Sequence, residues 1–71
     1  MSEVYTQKQK DIIQLLLARM FKKSREKRLS LRGLSERLGA QPATILRWRR
    51  AENWPDGYHV YMIKKFLGYL Q

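Results

Sequence analysis

At 71 residues the chain has room for one domain and no second, and one so short hides only about 60% of the surface it exposes when unfolded. Apolar residues still make up 44% of it, ten of them leucine, while the absence of cysteine removes disulfides, thiol nucleophiles and thiolate zinc sites together. Fifteen Lys and Arg against six Asp and Glu leave a net charge of +9, a balance that points to a polyanionic partner, nucleic acid ahead of an anionic membrane surface.

No unbroken apolar run approaches the roughly 18 residues of a membrane span, the longest being residues 15–18. Residues 1–5 are polar and acidic, unlike a secretory signal, so a cytoplasmic, nucleoid-associated location in a bacterial or phage-infected cell is the expectation. Val and Ile total six and nowhere alternate over a strand's length. With glycine and proline confined to a few breaks, the chain reads as all-α: a compact four-helix domain spanning residues 1–71 with a long first helix.

Thr6-Gln7-Lys8-Gln9 has the form of a capping box, so the first helix is predicted to start after Thr6 and to continue to about Lys27. At about 100° per residue, Ile12, Ile13, Leu15, Leu16, Leu17, Met20 and Phe21 spread over roughly 240° of its wheel. That exceeds the single stripe a surface helix turns to one core. Two apolar contacts are implied, one within the domain and one elsewhere, most simply with a second copy. Residues 1–20 are therefore read as an N-terminal helical extension and candidate dimerisation element, the alternative being a helix sunk deep in its own core.

Ser30 caps a second helix expected from about Leu31 to Leu38, with Leu29 and Leu34 at the spacing of a hydrophobic staple. Gly33 inside it costs about 1 kcal/mol relative to alanine, and Gly39 stops it. Pro42 suits the first position of a third helix, which is expected to end near Ala51. Gln41 precedes that proline as a poor cap, which leaves its side chain for another use. A loop at residues 53–57 follows, and Asp56 is placed to cap a last helix from about Gly57 to Tyr69, with Ile63, Phe66, Leu67 and Leu70 on its inner face.

Two short helices joined by Gly39-Ala40-Gln41 have the local plan of a helix-turn-helix. On the third helix Ile45 and Trp48 point inward, while Ala43, Arg47 and Arg50 gather within roughly 60° on the other side, flanked by Thr44 and Leu46. Small, hydroxyl and guanidinium groups on one ridge suit a major groove. Arg47 has the donors for guanine O6 and N7, Gln41 the donor–acceptor pair for adenine N6 and N7, and the Ala43 methyl suits a thymine methyl. Gln41, Ala43, Thr44 and Arg47 are the candidate base-reading residues; Arg50, one turn farther on, is assigned to phosphate.

The stretch Leu34-Ser35-Glu36-Arg37-Leu38-Gly39-Ala40-Gln41-Pro42-Ala43-Thr44-Ile45-Leu46-Arg47-Trp48 resembles the helix-turn-helix of Cro and phage-repressor type (XRE-like) regulators. Arg25 and Leu29-Ser30-Leu31 are similar to that family's approach to its second helix, and the resemblance covers residues 21–70. It implies a helical domain that binds palindromic operator DNA as a homodimer through Gln41, Pro42, Ala43, Arg47 and Arg50. Three positions depart from the family pattern: Ser35 stands where alanine is common, Arg49 where an acidic residue often follows the tryptophan, and Pro42 where a base-reading glutamine is frequent.

Phosphate contacts supply most of the affinity in such a complex. Arg25, Ser30, Arg32, Arg49 and Arg50 are the candidates, with the free amides near Leu31 and Arg32 as an anion site. The basic run at residues 22–28 is read as a solvated helix end favoured by the helix dipole rather than as a localisation signal.

Catalysis has little support. The carboxylates form no pair with each other or with His59 at helical spacing, and one imidazole is too few for a metal site, so no enzyme activity, metal, cofactor or small-molecule effector is expected. Trp48 reads as core, whereas Trp54 covers either the core edge or a partner surface. Candidate dimer contacts are Ile12, Leu15 and Leu16 on the first helix and Tyr61 and Tyr69 on the last; the sequence does not choose between these seams. The leading expectation is a small sequence-specific DNA-binding regulator that represses by promoter occlusion. The alternatives are an excisionase-like architectural DNA-binding protein and a helix-turn-helix adaptor that binds an acidic protein.

Overall fold

In the computed structural model, which describes residues 5–70, Thr6 opens α1 (Gln7–Glu26) through a complete capping box. Its hydroxyl accepts from the Gln9 amide at 3.1 Å, and the Gln9 carboxamide accepts from the Thr6 amide at 2.9 Å. Residues 1–4, read above as unlike a secretory signal, lie outside the described residues. Ser30 caps α2 (Leu31–Leu38) by accepting from the Gly33 amide at 3.0 Å. Gln41 precedes α3 (Pro42–Arg49) with no side-chain capping bond, as expected of a glutamine, and Asp56 caps α4 (Gly57–Leu67) by accepting from the His59 amide at 3.0 Å. All regular structure among the described residues is helical.

The helix ends differ in one respect from the sequence expectation. Gly39 (φ +68°) and Gly68 (φ +82°) terminate α2 and α4 in the left-handed conformation, where glycine carries no steric penalty. Arg28 (φ +58°) and Ala51 (φ +59°) do the same after α1 and α3 without that advantage. At each of these two sites the next amide reaches back to the last turn, Leu29 to the Ser24 carbonyl and Glu52 to the Arg47 carbonyl, both at 2.9 Å. Helix α3 thus stops at Arg49 rather than at Ala51. Helix α4 stops at Leu67, so Leu70, expected on its inner face, lies past the helix and is exposed.

One core joins all four helices. Ile13, Leu16, Leu17 and Met20 come from α1, Leu34 and Leu38 from α2, Ala40 from the turn, Ile45 and Trp48 from α3, and Ile63 from α4. Met20, Leu38, Ile45 and Ile63 are fully buried, so truncating any of them to alanine is expected to cost about 2–5 kcal/mol. Helix α4 runs alongside α1 in the same direction. The Tyr5 hydroxyl donates to the Pro55 carbonyl at 2.8 Å near one end, and Arg19 donates to the Tyr69 hydroxyl at 2.7 Å near the other. This placement splits the wide apolar arc of α1: Ile12 and Leu15 face outward, each 53% exposed, while Leu16 belongs to the core. Leu16 is therefore withdrawn from the dimer contacts, because α4 already covers it.

Among the described residues no helix is long and apolar enough to cross a membrane.

Candidate nucleic-acid interface

The turn between α2 and α3 is held from one residue. The Ser35 carbonyl accepts from the amides of Gly39 at 2.9 Å and Ala40 at 3.3 Å, and the Ser35 hydroxyl donates a short bond to the Ala40 carbonyl. Alanine could not make that last bond, so the serine that departs from the family pattern has a local task. Ala40 is buried beneath the turn, and the Tyr58 hydroxyl lies against Gly39 from outside. The relative placement of the two helices thus rests on a hydrogen-bonded turn and on Leu38, Ala40 and Ile45 below it.

Helix α3 is fixed by its inner face. Ile45 is fully buried, and the Trp48 indole is covered and lies 5.4 Å from the His59 ring, which in turn meets Tyr58 edge-on at 5.2 Å. With that side pinned, Gln41, Pro42, Ala43, Arg47 and Arg50 are exposed, and Thr44 and Leu46 are half-buried on the flanks. All four candidate base-reading residues therefore share the outer side of α3 or its N-terminal edge. Arg50 stands 4.0 Å from Glu52, both side chains well exposed, a pairing worth at most about 1 kcal/mol and easily given up.

The candidate phosphate residues fall into separate groups. Arg25, Ser30 and Arg49 line one cleft of about 140 Å³ at the start of α2, with Phe21, Ser24 and Leu29 completing much of its wall. Arg49 leaves α3 beside its buried edge, about 40° around the helix from Ile45, and its guanidinium stacks 5.4 Å from the centre of the Phe21 ring of α1. The first amides of α2, at Leu31 and Arg32, have no intrahelical acceptor and add partial positive charge there. Arg50 belongs instead to the outer ridge. Arg32 is exposed on α2 and does not line the cleft. Arg32 and Arg37 are about 140° apart around α2, so they form no continuous ridge.

Little of the positive charge is neutralised internally. All fifteen Lys and Arg lie among the described residues, and among those residues Arg50–Glu52 is the sole Lys or Arg pairing with a carboxylate within 4.0 Å. The other close acid–base contact joins Asp56 to His59 Nδ1 at 2.8 Å, three residues apart, which corrects the expectation that no carboxylate pairs with His59 at helical spacing. The His59 amide, and then its ring, hold the Asp56 carboxyl below its ordinary value of 3.8, partly opposed by burial. Lys10 lies over Trp54 at 5.9 Å and Lys23 over Phe66 at 5.7 Å, so two further cations rest on aromatic faces and leave no anion beside them.

Sequence reasoning did not find the roles of Ser35 or of the Phe21–Arg49 stack. The departure of Ser35 from the family pattern was a signal for the first. Nothing local could signal the second, since the partners come from different helices. The remaining dimer candidates are all exposed: Ile12, Leu15, Tyr61 and Tyr69, the last with its hydroxyl accepting from Arg19. The chain matches no protein-family model, no curated protein and no solved structure.

Proposed function

We propose that this chain is a small sequence-specific DNA-binding transcriptional regulator, a repressor acting by promoter occlusion, in which α2, its turn and α3 work as a helix-turn-helix. The observation that carries the reading is the single solvent-facing side of α3. Ala43 and Arg47 stand there, with Gln41 at the N-terminal edge, on a helix immobilised by Ile45 and Trp48, in a chain of +9 net charge whose Lys and Arg make a single carboxylate pairing among the described residues.

The division of labour follows from the chemistry of each group. Arg47 gives two donors to a guanine edge, Gln41 a donor and an acceptor to an adenine edge, and Ala43 and Thr44 present methyl and hydroxyl groups without bulk. Arg25, Ser30 and Arg49 take a backbone phosphate at the cleft, and Arg50 takes another beyond the ridge. These contacts are sequence-independent and salt-sensitive, and they supply the bulk of the affinity. Two copies on a palindromic operator would place their α3 helices about 34 Å apart, one turn of the duplex. With no sensor invoked, regulation is by protein concentration and competition for the site.

Selection of bound sites from a random duplex pool, followed by titration of the selected site and of random duplex at several salt concentrations, tests the proposal. Arg47→Ala is expected to cost about 1–3 kcal/mol on the selected site and much less on random duplex. Equal affinity of the native chain for both duplexes would refute sequence-specific binding. Tight binding to an acidic protein that depends on Arg47, with DNA binding absent, would replace the reading by the adaptor one.

A further inference from the structure

A second cleft, of about 200 Å³, opens between α1 and the end of α3. Leu17 and Trp48, both buried, form its floor, and the half-buried Phe21 and Trp54 stand at its sides. Gln14, Ala18 and Arg49 are exposed at its rim. Phe21 and Arg49 also line the cleft at the start of α2, so their stack is the wall that the two clefts share. The contacts assigned to DNA use neither Trp54 nor Gln14. Nothing local in the sequence signals this pocket, because its sides come from α1, α3 and the segment after α3.

We propose that this cleft binds a small aromatic carboxylate, a single ring bearing one acid group. Size restricts the ligand first. An apolar cavity of about 150 Å³ takes up benzene, whereas pockets for drug-sized molecules start at about 300 Å³, so this one suits a single ring. Three aromatic side chains surround the space, and a flat ring packs against such walls offset or edge to face.

Charge restricts the ligand further. No aspartate or glutamate lines the cleft, and Glu52, next to Ala51 of its lining, lies 4.0 Å from Arg50 instead. Arg49 stands at the Phe21 end. Lys10, about three turns earlier on α1, rests over the Trp54 ring at 5.9 Å. Stacking on Phe21 occupies one face of the Arg49 guanidinium and leaves its edge donors without a partner among the described residues. That edge matches a carboxylate through two parallel hydrogen bonds. The Gln14 carboxamide makes no hydrogen bond among the described residues either, and it offers a donor and an acceptor to a hydroxyl on the ring.

The consequence for DNA rests on the function proposed above, in which Arg49 holds a backbone phosphate. A carboxylate that takes the Arg49 edge from the second cleft competes with that phosphate. Ligand and duplex then weaken each other by the same factor. The aromatic acid is therefore an inducer, and it adds a ligand to control by protein concentration.

Trp48 and Trp54 are the only tryptophans of the chain and both line the cleft, so their two indole N–H resonances in the isotopically labelled full chain report on it. Titration with benzoate is expected to shift both and to saturate with a Kd of about 1 mM or tighter. Acetate lacks the ring and benzyl alcohol lacks the charge, and each is expected to bind about tenfold more weakly or worse. Ala18→Leu fills the rim from an exposed helical position outside the DNA contacts and is expected to abolish the saturable shift. Saturating benzoate is expected to lower the duplex affinity of the native chain about fivefold or more and its salt slope by about one, and to leave Ala18→Leu unaffected. Shifts that stay linear to about ten times that concentration, an equal response to benzyl alcohol, or binding that survives Ala18→Leu would overturn the site. Tighter binding of AMP than of benzoate would overturn it in favour of a nucleotide. Benzoate and duplex bound together without mutual loss would refute the competition for Arg49. A native chain that binds no DNA would refute the regulator reading, and the resonance titrations would still decide the site.

Discussion

Alanine substituted for glycine at two positions of the α2 region makes the same chemical change with opposite expected sign. Gly33 sits inside α2, where a Cβ would meet the Leu29 side chain and the Ser30 hydroxyl at 3.5 Å, ordinary contact distances. Nothing needs to move, and alanine retains the amide that bonds Ser30. The helix propensity difference of about 0.8–1.0 kcal/mol is then recovered as stability. Gly39 has φ +68°. Alanine there meets the penalty of the left-handed region, about 1–2 kcal/mol, partly offset by a less flexible unfolded chain. A net loss of about 1 kcal/mol remains. For a domain of this size each kcal/mol moves the melting temperature by about 4–8 °C. Thermal unfolding followed by circular dichroism should therefore raise the midpoint for Gly33→Ala and lower it by a similar amount for Gly39→Ala. A lower midpoint for Gly33→Ala would mean that the glycine serves a close approach absent from this account, and an unchanged one for Gly39→Ala would refute the strain argument for the turn.

Ser35→Ala removes the hydroxyl bond to the Ala40 carbonyl and should destabilise the fold by about 0.5–1.5 kcal/mol in denaturant titration, with a larger loss of operator affinity than of random-duplex affinity if the turn orients α3. Arg25→Ala or Arg49→Ala should weaken binding to all duplexes alike and reduce the salt slope by about one each; a sequence-dependent loss would remove them from the phosphate cleft. Asp56 has a folded-state value lowered by the His59 amide, so its contribution to stability is present above the ordinary carboxylate value and fades as pH falls through the lowered one. Asp56→Asn should flatten the loss of stability below about pH 4, measured by urea titration across that range. An unchanged acid limb would show that Asp56 does not titrate with unfolding.

Sequence by itself determined the helix starts. Thr6, Ser30, Pro42 and Asp56 each act within three residues of the chain, through a hydrogen bond or a fixed φ, so their effect is complete before any tertiary contact forms. It also determined the inward edge of α3, because Ile45 and Trp48 at three-residue spacing have one side to bury. Two of the helix ends were decided elsewhere. The rough places of these stops, near Lys27 and Ala51, were expected, but Arg28 and Ala51 make them in a left-handed conformation that their side chains disfavour. Tertiary structure also chose which leucines of α1 are core. Leu15 and Leu16 are adjacent and chemically identical, and only the path of α4 buries one and leaves the other in solvent. Likewise the setting of Arg49 beside the cleft depends on Phe21, a ring from another helix on which its guanidinium stacks. Local hydrogen bonding is written in neighbouring residues, whereas the division of a broad apolar arc or a basic cluster between faces depends on what packs beside it.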